Sequence, residues 1–471
     1  MPGGAPIHTL AELGSAAGGS LAIVPDAPLH AAEVWKTLTL RAGFNTSTVI
    51  LGTTLLGLAA GIVGVFALLR KRSLVTDALS HATLPGIALA FLLAPGLGVG
   101  GRSLPLLLLG ATASAALSVL CIQLILRHTR LREDAAIGIV LSVFFGAGVV
   151  GLSYIQKNAP AGAAGLSHFI FGQTAAMSVG DATLMGSIAL VAIGAALLFF
   201  KEFSLACFND AFARVQGWPV SLIDLAMMAL VVLVTVAGLQ AVGLVLVVAM
   251  LIIPPVAARF WSERLWVLVA LAGVFGASSG YLGAVVSALL PGKPAGAVIV
   301  LTAGVIFSLS MLLAPSRGVV ASTARRLHLR LRMAGDHLLE AAHESASKTD
   351  LAPGEGVVTP DDLRSLARLR GWPPWFGPLV VHALTHGGML SRRPGRGLAL
   401  TEAGRERGAR VRRNHTLWSQ YLITYADIAP THVDWSVDQV EHVLSDTLIA
   451  ELERALERRG VALPPRAGST P

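Results

Sequence analysis

Asp77 and His81 are the residues whose types and spacing most directly suggest chemistry in this chain. They lie in the run 73–86, which follows the basic turn Arg70–Arg72 and opens a long apolar stretch. Residues four apart share one face of a helix, so a carboxylate and an imidazole there can approach the same cation. Ionisable groups in a membrane segment are costly and by default mark the path of an ion or a substrate. The pattern predicts a metal gate in a membrane protein.

A carboxylate together with an imidazole suits divalent first-row ions such as Mn²⁺ and Zn²⁺, which accept mixed oxygen and nitrogen ligands. A second copy of the chain could supply a matching pair, which would give four ligands. Two structural roles stay open as alternatives: Asp77 could cap the start of a helix, and His81 could form a hydrogen bond between helices.

The composition excludes an ordinary soluble protein. Of the 471 residues 54% are hydrophobic and 14% are charged, and the mean hydropathy is +0.68. Apolar stretches of about 20 residues, enough to cross the bilayer as helices, follow one another from about Thr48 to Leu313. We therefore predict an all-α polytopic membrane protein with a soluble C-terminal domain. The nine predicted spans are 48–69, 77–94, 104–126, 135–154, 178–200, 220–239, 241–259, 265–290 and 295–313.

Positive charges predict the orientation. Lysine and arginine are concentrated in alternate loops, at 70–72, 127–132, 201–214 and 259–264. The positive-inside rule places these loops in the cytoplasm, with the N-terminus outside and the C-terminal domain inside a bacterial cytoplasmic membrane. The net charge of +8 is then a property of cytoplasmic loops rather than a sign of nucleic-acid binding.

The predicted parts of the chain are an external segment 1–47, a transmembrane domain 48–315, a basic linker 316–334, a soluble domain 335–460 and a tail 461–471.

Glycine spacing predicts close helix contacts. Gly57 and Gly61 form one small-xxx-small pair, and Gly276 and Gly280 form another. In lipid, such pairs let two backbones pack closely, although a general bias in composition is the alternative. Pro254-Pro255 is expected to break or kink a helix near its cytoplasmic end.

The cytoplasmic segment 201–217 predicts an amphipathic helix that ends at a glycine. Such an element suits docking to another protein. A helix that merely lies on the membrane surface is the alternative.

Three segments together, 73–86, 201–217 and 242–255, resemble the membrane permease subunit of ABC importers for manganese, zinc and iron. The resemblance implies that Asp77 and His81 line the translocation gate and that segment 203–217 couples to an ATPase. The implied coupling residues are Phe203, Phe208, Asp210, Arg214 and Gly217.

The sequence contains no G-x-x-x-x-G-K-[ST] phosphate loop. We therefore expect a separate ATP-binding subunit, an extracytoplasmic metal-binding protein and a second permease subunit, identical or paralogous. The chain is then a transporter subunit and not an enzyme, with membrane lipid around it and no permanently bound cofactor. Mn²⁺ is the favoured cargo, with Zn²⁺ or Fe²⁺ possible.

The C-terminal part predicts a winged-helix domain followed by further helices. Two helical segments at 361–368 and 379–385 precede a short wing and a third helix at 390–405. With the run 441–446, this pattern resembles the diphtheria-toxin-repressor family of metal-dependent regulators. The resemblance implies a regulatory Mn²⁺ or Fe²⁺ site, and the implied ligands are His337, His415, Asp438, Glu441 and His442. The spacing of the last three permits one helical face, and a solvated helix face is the alternative.

The predicted recognition helix, 375–382, contains no Arg, Lys, Asn or Gln to read base edges. We therefore expect a domain that senses cytosolic metal, with nucleic acid not expected as a partner. The alternative for the whole chain is a membrane-anchored, metal-responsive DNA-binding regulator.

Overall fold

The computed structural model describes residues 31–98, 103–158, 177–290, 293–348, 357–392, 397–425 and 445–464. The chain divides into two compact units, Met1–Val319 and Val320–Pro471.

Unit 1 is built from helices. Their bounds are α1 Ala31–Leu38, α2 Phe44–Leu69, α3 Ser73–Leu93, α4 Leu104–His128, α5 Glu133–Asn158, α6 Val179–Leu198, α7 Phe200–Phe208, α8 Asp210–Val215, α9 Val220–Val242, α10 Leu244–Arg259, α11 Leu265–Leu289 and α12 Ala295–Leu313. A short 3₁₀ turn, Ala94–Leu97, follows α3. The apolar runs of the sequence thus became helices, since only a helix satisfies its own backbone polar groups in lipid.

Among the described residues, eight helices are long and apolar enough to cross a membrane, where the sequence predicted nine. The difference is α10, which has 16 residues and so rises about 24 Å against about 30 Å of hydrocarbon. Gly243, at φ +84°, separates α9 from α10. A Cβ on Gly238 would collide with the side chain of Val247, so these two residues are in contact. In a single continuous helix, residues nine apart would be separated by about 13 Å along the axis. The chain therefore reverses at Gly243, and α9 and α10 form a hairpin.

The predicted glycine contacts are present between α2 and α11. A Cβ on Gly57 would meet the backbone of Gly276, and a Cβ on Gly61 would meet that of Ala272. The hydroxyl of Thr53 donates to the Gly280 carbonyl at 3.2 Å across the same interface. Small residues thus allow the two backbones to touch.

Helix α10 continues through Pro254-Pro255 to Arg259, so the prolines do not end it. Pro255 has no N–H for the Leu251 carbonyl four residues earlier. Gly64 of α2 packs directly against that carbonyl.

Helix α2 contacts α6, α9, α10 and α11, whereas α3 packs against α4, α5, α9 and α10.

Unit 2 contains the predicted winged helix. Its elements are α13 Val319–Lys348, β1 Val357–Val358, α14 Pro360–Leu369, α15 Phe376–His386, β2 Leu390–Arg392, β3 Leu398–Leu400, α16 Glu402–Tyr425 and α17 Asp446–Arg458. The strands form an antiparallel sheet in the order β1-β3-β2, with Leu390 opposite Leu400. Leu338, Phe376, Val380 and Leu400 lie in the core of this unit.

The stretch 316–334 does not form a separate linker. Most of it is the first half of α13, which runs unbroken from Val319 to Lys348. The second half of α13 supplies Leu338 and Leu339 to the core of unit 2. Asp336 accepts from Nε and Nη2 of Arg407 at 2.9 and 3.0 Å, which ties α13 to α16.

Candidate functional site: a carboxylate–imidazole pair on helix α3

Asp77 and His81 lie one turn apart on α3, as the sequence predicted. Nε2 of His81 is 3.7 Å from Oδ1 of Asp77. Arg72 occupies the N-cap position of α3, so Asp77 lies inside the helix and does not cap it. The ring of His81 packs edge-on against Phe145 of α5, with centroids 5.1 Å apart. No hydrogen bond from Nδ1 of His81 to another described residue is present.

The pair lies on a face of α3 that unit 1 leaves partly uncovered. The side chains of Asp77 and His81 are 47% and 24% exposed. Leu74 and Leu89, on the same side of the helix, are also exposed. Within the described residues, no group of three or more His, Cys, Asp or Glu side chains could hold a metal ion. Asp77 and His81 alone leave most ligand positions of a cation unfilled, so other groups must complete its coordination.

Next to the start of α3 lies a buried charge cluster centred on Asp224 of α9. Only 5% of Asp224 is exposed. Its carboxylate accepts from Nε and Nη2 of Arg70 at 3.2 and 3.1 Å. It also accepts from Nη1 of Arg72 and, at 3.4 Å, from Nε2 of Gln123. A charge removed from water needs partners of this kind.

Arg70 also holds the segment that follows α6. Its Nη1 donates to the Ala206 carbonyl of α7 at 3.0 Å and to the Asp210 carboxylate of α8 at 2.5 Å. Burial is the largest influence on the pKa of Arg70 and lowers it, but Asp224 and Asp210 more than reverse this, so the pKa stands above its ordinary value. We call Arg70, Arg72, Asp210 and Asp224 the Asp224 cluster; these residues lie beside a cavity of about 490 Å³.

Residues 45–314 match the family model described as the ABC 3 transport family. The match covers more than half of the chain and includes the α3 pair, the segment after α6 and the α9–α10 hairpin. The chain belongs to the ABC 3 transport family. It is accordingly a multi-pass membrane protein.

Named relatives of this ABC 3 chain include two bacterial transport proteins. The manganese transport system membrane protein MntC of Bacillus subtilis is 38% identical over 83% of this chain and 87% of its own length. The zinc transport system membrane protein TroC of Treponema pallidum is 44% identical over 62% of this chain and 96% of its own length. Among solved structures, PsaBC from Streptococcus pneumoniae in complex with Fab is similar, with a TM-score of 0.52 and 31% identity over 61% of this chain and 97% of that chain.

The segment 201–217 of the ABC 3 domain differs from the single helix that the sequence predicted. It consists of α7 and α8, because Asn209 leaves the helical conformation and its side chain accepts from the Phe212 N–H at 3.0 Å. This is the geometry of an N-cap. Gly217, at φ +83°, follows α8, where the sequence predicted a helix-ending glycine.

The phenylalanines of α7 and α8 differ in exposure. Phe203 is 1% exposed and packs against Phe66 of α2 with centroids 5.3 Å apart, so it anchors the segment within unit 1. Phe208 and Val215 are 68% and 87% exposed, and Phe212 is exposed between them. Arg214 is exposed and lies 3.9 Å from Asp210. Of the predicted coupling residues, Phe203 is a buried anchor, whereas Phe208 lies in an exposed apolar face together with Phe212 and Val215.

In unit 2, residues 401–461 match the model described as iron dependent repressor, metal binding and dimerisation domain. This match confirms the predicted resemblance of the C-terminal part. His337 lies buried on α13 and His415 lies on α16. Asp438, Glu441 and His442 fall outside the described residues. The metal site predicted for unit 2 therefore stays a prediction.

Sequence reasoning missed Asp224 and its two arginines. A usable signal was present, since Asp224 is the only ionisable residue of α9, Val220–Val242. An ionisable residue in an apolar span indicates a functional site by default. Its partners Arg70 and Arg72 are more than 150 residues away, so no local pattern joins them.

Proposed function

We propose that the chain is the membrane-spanning permease subunit of an ATP-driven ABC importer for divalent transition-metal ions. Mn²⁺ is the favoured cargo, and Zn²⁺ or Fe²⁺ is possible. The observation that carries this proposal is the pair Asp77 and His81, one turn apart on an incompletely covered face of α3. Its mixed oxygen and nitrogen donors suit such ions.

The relatives support this class of cargo. MntC is named for manganese and TroC for zinc. Ligand type alone does not separate the two ions, because selectivity depends on geometry and supply as much as on the donors. The donors therefore indicate the class of divalent ions, and the similarity to MntC favours manganese within that class.

The open face of α3 supports a second permease subunit. Two ligands from each of two subunits would give four, the number typical of tetrahedral sites. Related by a two-fold axis, identical faces of this kind would meet each other. In the proposed cycle, Asp77 and His81 hold the ion between the subunits while access alternates from outside to inside.

Other surfaces fit the remaining partners. The exposed apolar face of Phe208, Phe212 and Val215 is a docking surface for an ATP-binding subunit. The charge pattern of the loops supports a cytoplasmic location for this surface, at a bacterial inner membrane. The metal would arrive from an extracytoplasmic binding protein on the opposite side.

Unit 2 is proposed to sense cytosolic Mn²⁺ or Fe²⁺ and to report it to the transporter. The match of residues 401–461 to a metal-binding and dimerisation domain supports this role. A DNA-binding role is not favoured, because α15, Phe376–His386, contains no Arg, Lys, Asn or Gln.

The gate is tested by Asp77→Ala and His81→Ala. Uptake of Mn²⁺, Zn²⁺ and Fe²⁺ is measured in cells that express the chain with its ATP-binding subunit and binding protein. We expect each variant to lose uptake of one of these ions at unchanged membrane levels, because half of the ligand pair is gone. Glu263→Gln, which alters an exposed loop carboxylate, is the control and should keep wild-type uptake. Normal uptake by Asp77→Ala would return that residue to a structural role.

A further inference from the structure

Asp224 is a buried carboxylate that the proposed gate does not use. It is the fifth residue of α9 and is 5% exposed, whereas Asp77 and His81 lie on α3. It binds two arginines at once, Arg70 and Arg72, and both belong to the three-residue connection between α2 and α3. An uncompensated carboxylate at this depth is strongly unfavourable, so the two arginines and Asp224 must move together or separate at a cost.

One side of this cluster reaches the proposed ATPase-docking segment. The guanidinium of Arg70 that binds Asp224 also binds the Ala206 carbonyl near the end of α7 and the Asp210 carboxylate at the start of α8. Both helices of the segment are therefore held by one planar group. A guanidinium binds through a rigid fork of donors, so a displacement of the segment is transmitted to its other partners.

The other side reaches the helices of the gate. Arg72 is the N-cap residue of α3, and Asp77 and His81 follow about one and a half and two and a half turns later. Nε of Arg72 also lies 2.9 Å from Oε1 of Glu133, the first residue of α5. Helix α5 carries Phe145, which packs against the His81 ring. The same arginine thus contacts both helices that bear on the imidazole.

The connection between the two sides is short. Helix α2 ends at Leu69 and α3 begins at Ser73. Lys71 adopts φ +59°, and the Arg72 N–H donates to the Ala67 carbonyl at 3.0 Å, which closes a tight turn. A turn of this length leaves little slack between Arg70 and Arg72.

We propose that Asp224 is a positioning residue that couples the docking segment α7–α8 to the gate helix α3 through Arg70 and Arg72. ATP-driven displacement of α7–α8 moves Arg70, Asp224 holds Arg70 and Arg72 to a common carboxylate, and Arg72 shifts the start of α3. This inference rests on the proposed function for the meaning of the gate. It assigns no metal ligand to Asp224.

The test uses the whole transporter, with its ATP-binding subunit and binding protein, in proteoliposomes. The permease carries Cys121→Ser, Cys207→Ser and Leu74→Cys, which places one thiol on the face of α3 that carries the gate pair. Maleimide labelling of this thiol is compared with and without ATP and vanadate, and ATP hydrolysis is measured in the same preparations. We expect the nucleotide to change the labelling rate in the otherwise wild-type protein.

Asp224→Asn should keep ATP hydrolysis within about twofold and reduce the nucleotide-dependent change in labelling about tenfold, within the range of allosteric coupling. Asp224→Glu, which restores the charge, should recover part of the change. Glu263→Gln is the matched control, because Glu263 pairs with Arg317 at an exposed site outside the cluster. If Asp224→Asn does not assemble, Arg72→Gln removes the contacts of Arg72 with Asp224 and Glu133 and leaves Asp224 bound to Arg70.

A nucleotide response that survives in both Asp224→Asn and Arg72→Gln would overturn the inference, as would equal loss in Glu263→Gln or no response in the parent protein. Metal uptake by the same proteoliposomes is a separate readout. A parent protein that responds to nucleotide but takes up neither Mn²⁺, Zn²⁺ nor Fe²⁺ would contradict the proposed function and leave the coupling role of Asp224 standing.

Discussion

At the scale of single residues, burial and the neighbouring Asp224 cluster together affect the reactivity of Cys207. Burial is the main cause that raises the pKa of the Cys207 thiol to about 11, and Asp224 and Asp210 add to this effect while Arg70 opposes it. The thiolate is the reactive form of cysteine, so Cys207 is protonated and slow to react at neutral pH.

We predict that, in a Cys121→Ser background, Cys207 reacts with N-ethylmaleimide at pH 8 about 100-fold more slowly than an ordinary thiol, from the thiolate fraction alone. The rate should rise about tenfold per pH unit up to near pH 10, because the pKa lies above this range. Val215→Cys with Cys207→Ser supplies an exposed reference thiol. Equal rates for the two cysteines at pH 8 would contradict the raised pKa.

Residue-scale prediction succeeded where the signal was local. Asp77 and His81 are four apart in the chain and meet on one helix, so the sequence alone placed them together. Arg70 and Asp224 meet only after α2 and α9 have packed, and their pairing depends on tertiary structure that no short pattern encodes. Phe203 was assigned to the coupling segment by resemblance to the permease family, and the structure shows that it is buried against Phe66.

At the scale of elements, backbone contact between α2 and α11 organises unit 1. Gly276 faces the Gly57 carbonyl, and both glycines lie where a Cβ would strike backbone rather than a flexible side chain. Backbone atoms cannot rotate away, so an added methyl group must push the helices apart.

Gly276→Ala should therefore destabilise the membrane domain by roughly 1–3 kcal/mol, the usual cost of overpacking. Gly304→Ala on α12 is the matched control, since a Cβ there has open space around it. Replacing glycine by alanine within a helix otherwise favours folding, so the control should be neutral or slightly stabilising. Thermal unfolding in detergent measures both variants. Equal melting temperatures would show that α2 and α11 can separate without loss.

Helix positions were largely predictable, but helix interruptions were not. Apolar length predicted the spans because lipid forces such runs into helices. The break between α7 and α8 depends on one capping hydrogen bond from Asn209, which an amphipathic pattern conceals. The stretch 316–334 was predicted as a linker because it is basic, but residues 319–334 form the first half of α13, whose second half supplies Leu338 and Leu339 to the core of unit 2.

At the scale of the whole molecule, the chain joins two units that each have a core of their own. Buried residues of α2, α3, α9 and α10 form one core, and those of α13, α15 and the small sheet form another. TroC aligns over 96% of its own length with 292 residues of this chain, a length close to that of unit 1.

We predict that a chain ending at Lys348, which keeps unit 1 and the whole of α13, still inserts and transports metal but no longer responds to metal inside the cell. Initial Mn²⁺ uptake is measured in cells preloaded with increasing Mn²⁺, for the full chain and the truncated chain at matched membrane levels. Uptake by the full chain should fall as internal Mn²⁺ rises, because the proposed role of unit 2 is to bind the ion and report it to the transporter. Uptake by the truncated chain should stay constant. If both chains respond alike, unit 2 is not the sensor; if the truncated chain is inactive from the start, the two units are not functionally separable.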